Sequence, residues 1–200
     1  MRDISDKSTT SPDDVGPEEA GRALDDHSFA ERAARVRWLL FDVDGVLTDG
    51  RLWFSAAGET LKAFHVHDGL AIKLAQRAGL KIGLFTGRTS EPLHRRAKEL
   101  DLDHVISASK DKASDFQAFL DDFSTAADEV AFVGDDLPDM PVMRRCGLAM
   151  TPANGAPEVK AAVHWVVPRR GGEGVARAVI ERVLESRGAW RPLIDELYGG

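Results

Sequence analysis

The sequence predicts an α/β fold: a doubly wound parallel sheet with a β-hairpin inserted after the first strand. Three observations predict it. First, short apolar runs recur, "WLLFDV", "KIGLFTG", "HVIS", "EVAFVGD", "GLAMTP" and "HWVVP". Several are apolar at consecutive positions, as in strands buried on both faces of a parallel sheet. Second, helical patterns separate them, the alternation that builds βαβ units. Third, "GRLWFSAAGETLKAFHV" breaks the alternation and reads as two strands around "AAG".

The elements follow in order. Residues 1–28, "MRDISDKSTTSPDDVGPEEAGRALDDHS", are polar and acidic and bury too little apolar surface to offset ordering entropy, so a disordered tail is expected. "SFAERAARV" is read as a short helix leading into a domain over 29–190. "WLLFDV" is the first strand and the hairpin follows. Helices are expected in "DGLAIKLAQRAGL", "SEPLHRRAKELDL", "KASDFQAFLDDF", "LPDMPVMRRC", "APEVKAAV" and "GEGVARAVIERVLESRG". Ser90 is the expected N-cap before Glu91 and Pro92. Residues 191–200 are expected to trail as a C-terminal tail.

Length and composition set bounds. A chain of 200 residues suits one domain with a self-sufficient core. Its single cysteine, Cys146, forms no intrachain disulfide and is expected to be buried. A net charge of −7 argues against nucleic-acid or anionic-membrane partners. The sequence has neither a long apolar span nor a signal-peptide core, so the expectation is a cytoplasmic protein with no membrane association.

In open α/β sheets, ligands bind beyond the carboxyl ends of the strands. The first strand delivers Asp42 and Asp44 there. "KIGLFTGR" delivers Thr86, Gly87 and Arg88, and the third strand is followed by Lys110 and Lys112. "EVAFVGDD" delivers Asp135 and Asp136, with Asp139 beyond. Converging carboxylates need a cation. Hard oxygen donors suit Mg²⁺, which is commonly shared with phosphate. Asp42 and Asp135 can share such an ion, and a phosphate beside it would meet Lys112 and Thr86. Asp42 is a competent nucleophile for an aspartyl-phosphate. Asp44, two residues on, can protonate a leaving oxygen and then activate water.

Other readings fit less well. A calcium loop starting at Asp42 would want Gly at its sixth position and an acid at its twelfth, where this chain has Leu47 and Trp53. A phospho-receiver domain needs its acceptor aspartate after the third strand, and "HVISASK" supplies none.

These motifs resemble the haloacid dehalogenase (HAD) superfamily, whose four signatures match "DVDGVLTDG", "TGR", Lys112 and "GDDLPD". The resemblance implies a Rossmann-like HAD fold with Asp42 as nucleophile and Asp44 as general acid/base. It implies Mg²⁺ held by Asp42, the Asp44 backbone carbonyl and Asp135, with Asp136 and Asp139 in support. The spacings from Asp44 to Thr86 and from Thr86 to Lys112 leave no room for a cap domain.

The longer stretches "DVDGVLTDGRLWFSAAGETLKAFHVHDGLAIK", "TGRTSEPLHRRAKEL", "VGDDLPDMPVMRRCGLAM" and "GGEGVARAVIERVL" resemble the 3-deoxy-D-manno-octulosonate 8-phosphate (KDO-8-phosphate) phosphatases over about residues 36–187. That resemblance implies a phosphatase in lipopolysaccharide biosynthesis acting on a small sugar phosphate. It implies a homotetramer assembled through the 50–66 hairpin, with the Gly-rich C-terminal segment reaching an adjacent site. His65, His67, Asp68 and Gly69 would fall on the substrate loop, with Gly87 at the second strand end. Lys73, Arg88 and Arg96 would be the basic contacts to the sugar acid, whose carboxylate suits guanidinium. Trp53 and Phe64 fit either an oligomer contact or the chain's own core.

The chain departs from the family where the loop commonly reads Asn-Val-Arg-Asp-Gly and here reads "HVHDG", and where Lys73 replaces a common Arg. Both changes lie on the sugar side. They keep open a related substrate such as a sialic-acid-type 9-phosphate, though Arg88 favours KDO. A non-catalytic binding subunit is the third reading, which the intact Asp42, Asp44, Lys112 and Asp135 disfavour.

Overall fold

The computed structural model describes residues 24–199, so residues 1–23 of the expected tail lie outside the described residues. The last part of that segment is not tail. Helix α1 (Asp26–Arg35) begins before "SFAERAARV" because the Asp25 carboxylate caps it, accepting from the Ser28 N–H at 2.8 Å. It buries Phe29 and Ala33.

Strand β1 (Trp38–Phe41) runs through the centre of the molecule. The hairpin follows as β2 (Trp53–Ser55) and β3 (Gly58–Leu61), paired antiparallel. Then come α2 (Val66–Arg77), β4 (Lys81–Phe85), α3 (Glu91–Glu99), β5 (His104–Ile106), α4 (Lys112–Asp122) and β6 (Val130–Val133). The chain continues through α5 (Met140–Met143), β7 (Leu148–Pro152), α6 (Pro157–Lys160), β8 (Trp165–Val167), α7 (Val175–Ser186) and α8 (Trp190–Tyr198).

The main sheet has the order β5-β4-β1-β6-β7-β8, parallel throughout. The chain winds outward from β1 in one direction, then restarts at β6 on the other side. That reversal opens a crevice above β1 and β6, where such folds bind ligands. Alternate residues of β1 feed two separate cores. Leu39 and Phe41 join α1, α2, α7 and α8 on one face, and Trp38 and Leu40 join α4 and α5 on the other. Cys146 belongs to the second core, and burial pushes its thiol pKa up to about 12.

Two local expectations are corrected. The segment expected to trail over 191–200 is largely helix α8, with Trp190 and Leu193 buried and the Arg177 guanidinium 4.7 Å from the Trp190 ring centroid. The reason is a helical apolar face, Trp190, Leu193, Ile194 and Leu197, laid on the core. Ser90 does occupy the N-cap of α3 with extended backbone, but its hydroxyl makes no capping bond. Between Asp44 and Thr86 lie only the hairpin, α2 and β4, and between Thr86 and Lys112 only α3 and β5, so neither gap forms a cap. Among the described residues no helix is long and apolar enough to cross a membrane.

Candidate active site

Asp42 leaves β1 still in register, its N–H donating to the Val133 carbonyl of β6 at 2.8 Å. The chain then wraps through one wide turn, closed by the Thr48 N–H on the Val43 carbonyl at 3.0 Å. Gly45 sits in this turn at φ 96°, and a Cβ there would lie 2.0 Å from Asp135 Oδ2. Glycine is therefore required twice, for the backbone and for the approach of Asp135. A second loop straps the turn from outside. The Gly172 N–H donates to the Val46 carbonyl at 3.0 Å. The Gly171 N–H donates to Asn154 Oδ1 at 2.7 Å, and a Cβ at Gly171 would fall 1.8 Å from the Gly45 oxygen.

This turn brings Asp42 against the end of β6. Asp42, Asp135 and Asp139 each place a carboxylate oxygen within 4.8 Å of the others. Lys112, at the start of α4, reaches in from the β5 side. Its ammonium donates to Asp42 Oδ1 at 2.8 Å, Asp139 Oδ1 at 2.5 Å and the Phe85 carbonyl at 2.9 Å. Burial works against that charge, but Asp42 and Asp139 outweigh it and hold the Lys112 pKa above its usual value.

The three carboxylates are not equivalent. Asp139 accepts from Lys112 through Oδ1 and from the Asp135 N–H through Oδ2 at 2.9 Å, so it is committed to the protein. Asp42 and Asp135 are under-compensated. Burial pushes Asp42 up to about 7, with Lys112 opposing and Asp139 and Asp135 adding repulsion. Burial likewise pushes Asp135 up to about 7, with repulsion from Asp139 and Asp136. Two crowded carboxylates with hard oxygen donors fit a divalent cation such as Mg²⁺. Asp136 is exposed and turns away to cap the short turn at 137–139, accepting from the Leu137 N–H at 2.8 Å.

An open cleft of about 660 Å³ lies over this cluster. Asp42, Asp44, Thr86, Gly87, Arg88, Lys112, Asp135, Asp136 and Asp139 of the predicted set line it. Thr86 is buried at its base, its Oγ1 accepting from the Arg88 N–H at 3.2 Å.

The other predicted residues lie apart. His65, Asp68, Gly69 and Arg96 border a separate apolar hollow of about 10 Å³, too small for a sugar. Asp68 is buried, and its Oδ1 accepts from the Arg177 N–H at 2.7 Å, anchoring the start of α7. Burial raises its pKa against that bond. Lys73 pairs with Asp101 at 3.3 Å on the exposed side of α2. His67 is exposed beside His65, ring centroids 4.9 Å apart. Within one chain, then, these six do not share a wall with Asp42.

Sequence reasoning missed two site residues. The Lys62 side chain is only 1% exposed and pairs with both Asp44 and Glu59. Glu59 also accepts from Arg88 at 2.8 Å, and these cations hold its pKa below the usual carboxylate range despite burial. The stretch "GETLKAF" contained both residues. Strand alternation, however, puts positions three apart on opposite faces. The pair forms because β3 ends at Leu61 and Lys62 turns inward.

The chain matches the family model for haloacid dehalogenase-like hydrolases over residues 65–147. It is 36% identical over 154 residues to the 3-deoxy-D-manno-octulosonate 8-phosphate phosphatase of Yersinia pestis, covering 77% of this chain and 82% of that one. A probable phosphatase of Pseudomonas syringae superposes with a TM-score of 0.84 at 36% identity, covering 87% of this chain and 98% of that one. The Moraxella catarrhalis 3-deoxy-D-manno-octulosonate 8-phosphate phosphatase, solved with magnesium, phosphate and KDO, superposes with a TM-score of 0.82 at 30% identity, covering 85% of this chain and 98% of that one. At this identity and coverage, the chain belongs to the haloacid dehalogenase-like hydrolases, in the family of the KDO-8-phosphate phosphatases.

Proposed function

We propose that this protein is a Mg²⁺-dependent phosphatase that hydrolyses KDO-8-phosphate to KDO and phosphate, a step on the route to lipopolysaccharide. The observation that carries the reading is the convergence of Asp42, Asp44, Thr86, Lys112 and Asp135 on one open cleft at the reversal of the sheet. Identity of 36% to the Yersinia pestis enzyme supports the choice of sugar.

The roles follow from placement. Asp42 attacks phosphorus in line and becomes an aspartyl-phosphate. Asp44 gives a proton to the departing sugar oxygen, then takes one from the water that cleaves the intermediate. Lys112 fixes Asp42 and offers positive charge to the transferring group, and the Thr86 hydroxyl donates to a phosphoryl oxygen. Asp42, Asp135 and the Asp44 backbone carbonyl would hold Mg²⁺, which supplies charge neutralisation at the phosphoryl oxygens. Asp139 keeps Lys112 and the Asp135 backbone in place, and Asp136 closes the turn. Arg88, on the cleft wall, is the cation best placed for the sugar carboxylate.

The hairpin extends this reading to assembly. Trp53, Phe54 and Leu61 are exposed on it, an apolar surface that suits burial against other copies in a homotetramer. Phe64 instead packs on the chain's own core. Assembly would also bring His65, His67 and Arg96 of one copy towards the open cleft of another, whereas the Gly-rich segment packs on the turn that carries Asp44 in its own chain. A cytoplasmic location accords with this function and substrate.

The test is a steady-state comparison of KDO-8-phosphate with sialic-acid-type 9-phosphates and simple phosphomonoesters. KDO-8-phosphate is expected to lead in kcat/KM, and a tenfold advantage for any other, about 1.4 kcal/mol, overturns the assignment of substrate. Asp42→Asn is expected to abolish turnover in the folded protein. Persisting phosphate release would overturn the nucleophile.

A further inference from the structure

The hairpin residues Lys62 and Glu59 have no part in the scheme above, yet they are among its least exposed charges. The Lys62 side chain is 1% exposed, that of Glu59 7% and that of Asp44 16%. Three features connect them to the chemistry. The Lys62 ammonium donates to Asp44 Oδ1. Glu59 holds Lys62 by charge at 2.6 Å and Arg88 by hydrogen bond at 2.8 Å, so both cations are tied to one carboxylate on β3. The other oxygen of Asp44, Oδ2, is buried without a hydrogen-bond partner among the described residues, 3.7 Å from Arg88 Nε. Buried carboxylate oxygens are normally paired, so an unpaired one in a residue that lines the cleft calls for an explanation.

We propose that Lys62 is a positioning residue for the acid/base step: it pins Asp44 through Oδ1, so that Oδ2 is the oxygen that meets the leaving group. This rests on the role of Asp44 as the acid. In the first step an Asp42 oxygen bonds to phosphorus, the bond from phosphorus to the sugar oxygen breaks, and that oxygen takes the proton from Asp44 Oδ2. In the second step water bonds to phosphorus, its proton passes to Asp44 Oδ2, and the Asp42–phosphorus bond breaks. Atoms and charge balance with no further reactant.

Glu59 makes the clamp one-sided. The Lys62 side chain is enclosed, whereas that of Arg88 is 41% exposed; in this proposal Arg88 turns from Glu59 towards a substrate carboxylate and so opens a path to the buried Asp44 Oδ2. Glu59 on β3 thus holds two cations, Lys62 just beyond that strand for the acid and Arg88 just beyond β4 for the sugar.

The leaving group provides the test. A sugar alkoxide needs protonation as it departs, whereas p-nitrophenolate is weakly basic and does not. The value of kcat/KM reports the steps up to that departure. Lys62→Met, which keeps most of the linear stem without the charge, and Lys62→Gln, which keeps a neutral N–H donor, are assayed on both KDO-8-phosphate and p-nitrophenyl phosphate, with Asp44→Asn in parallel. Loss of a positioned acid is expected to lower kcat/KM on KDO-8-phosphate by at least about tenfold in the Lys62 variants and about a hundredfold in Asp44→Asn. On p-nitrophenyl phosphate the Lys62 variants are expected to fall by less than about threefold, since that leaving group needs no acid.

Equal losses on both substrates, or no loss on either, overturn the proposal for Lys62. Failure of both Lys62 variants to fold assigns the residue to the scaffold and also overturns it. If Asp44→Asn itself leaves the KDO-8-phosphate rate unchanged, the acid assignment falls, an outcome distinguishable from failure of Lys62 alone.

Discussion

At Gly45 and Gly171 single atoms decide whether the site can form. Asp135 can approach Asp42 only because Gly45 lacks a side chain, and the turn carrying Asp44 is held by Gly171 at a distance that excludes a Cβ. Gly171→Ala would force the backbone of one loop away from the other. The expected cost is about 1–3 kcal/mol of stability together with a fall in kcat, read by urea denaturation and steady-state assay. A folded variant with unchanged rate would show that the strap is irrelevant to the catalytic turn. Asp135→Asn tests the cation directly. In the native protein Mg²⁺ is expected to raise Tm by relieving repulsion between Asp42 and Asp135, and in the variant that rise should be lost. An undiminished rise would place the ion elsewhere. Asp42, Asp44, Thr86 and Asp135 were expected at the rim because each follows an apolar run at a strand's carboxyl end, and Lys112 because it follows the third strand at the start of a helix. Lys62 was not, because its link to Asp44 spans 18 residues and depends on how the hairpin folds back over the cleft.

Among the elements, β8 carries a pH response. His164, immediately before it, is buried, and its Nδ1 accepts from the Ala149 N–H of β7 at 2.8 Å. Burial lowers its pKa from 6.5 to about 4, with the Arg32 charge adding to the effect. The unfolded chain takes up this proton near 6.5 and the folded one only near 4, so stability is full above about 6.5 and declines as pH falls towards 4. The decline attributable to this group is ~2–3 kcal/mol. Urea midpoints of the wild type and His164→Gln between pH 7 and pH 4 read it. The variant should show the shallower decline, and parallel curves would sink the attribution. Strands of this kind were legible because both faces are apolar. Helix α8 was not recognised, because "WRPLIDELY" is short and stands at the end of the chain. Its stability comes from packing Trp190 and Leu193 on α7 and the core, a tertiary effect beyond local propensity.

Across the whole molecule, the parallel sheet was readable from its apolar runs and the lack of room for a cap from spacing, whereas the order of its strands was not among the expectations. What spacing could not give was the division of labour in the hairpin. One surface offers Trp53, Phe54 and Leu61 outward, while Glu59 and Lys62 turn inward to Asp44 and Arg88. The proposed contact between copies and the proposed positioning of Asp44 would thus be borne on one short ribbon. Trp53→Glu should split the proposed tetramer, seen by sedimentation velocity, because a charge replaces the apolar contact. Turnover should fall with it, since an unsupported two-stranded ribbon is marginal in water. A variant that remains associated would remove the hairpin from the interface.

The burial of Cys146 has a practical consequence. The chain has one thiol, and it lies in the core with its ionisation suppressed. Thiol-reactive dyes act on thiolates and should leave the native protein unmarked. A cysteine introduced at Ala57, in the exposed turn of the hairpin, would then be the sole reactive handle. Donor and acceptor dyes placed there on separate preparations would report subunit mixing by energy transfer, without removing any native residue from the core.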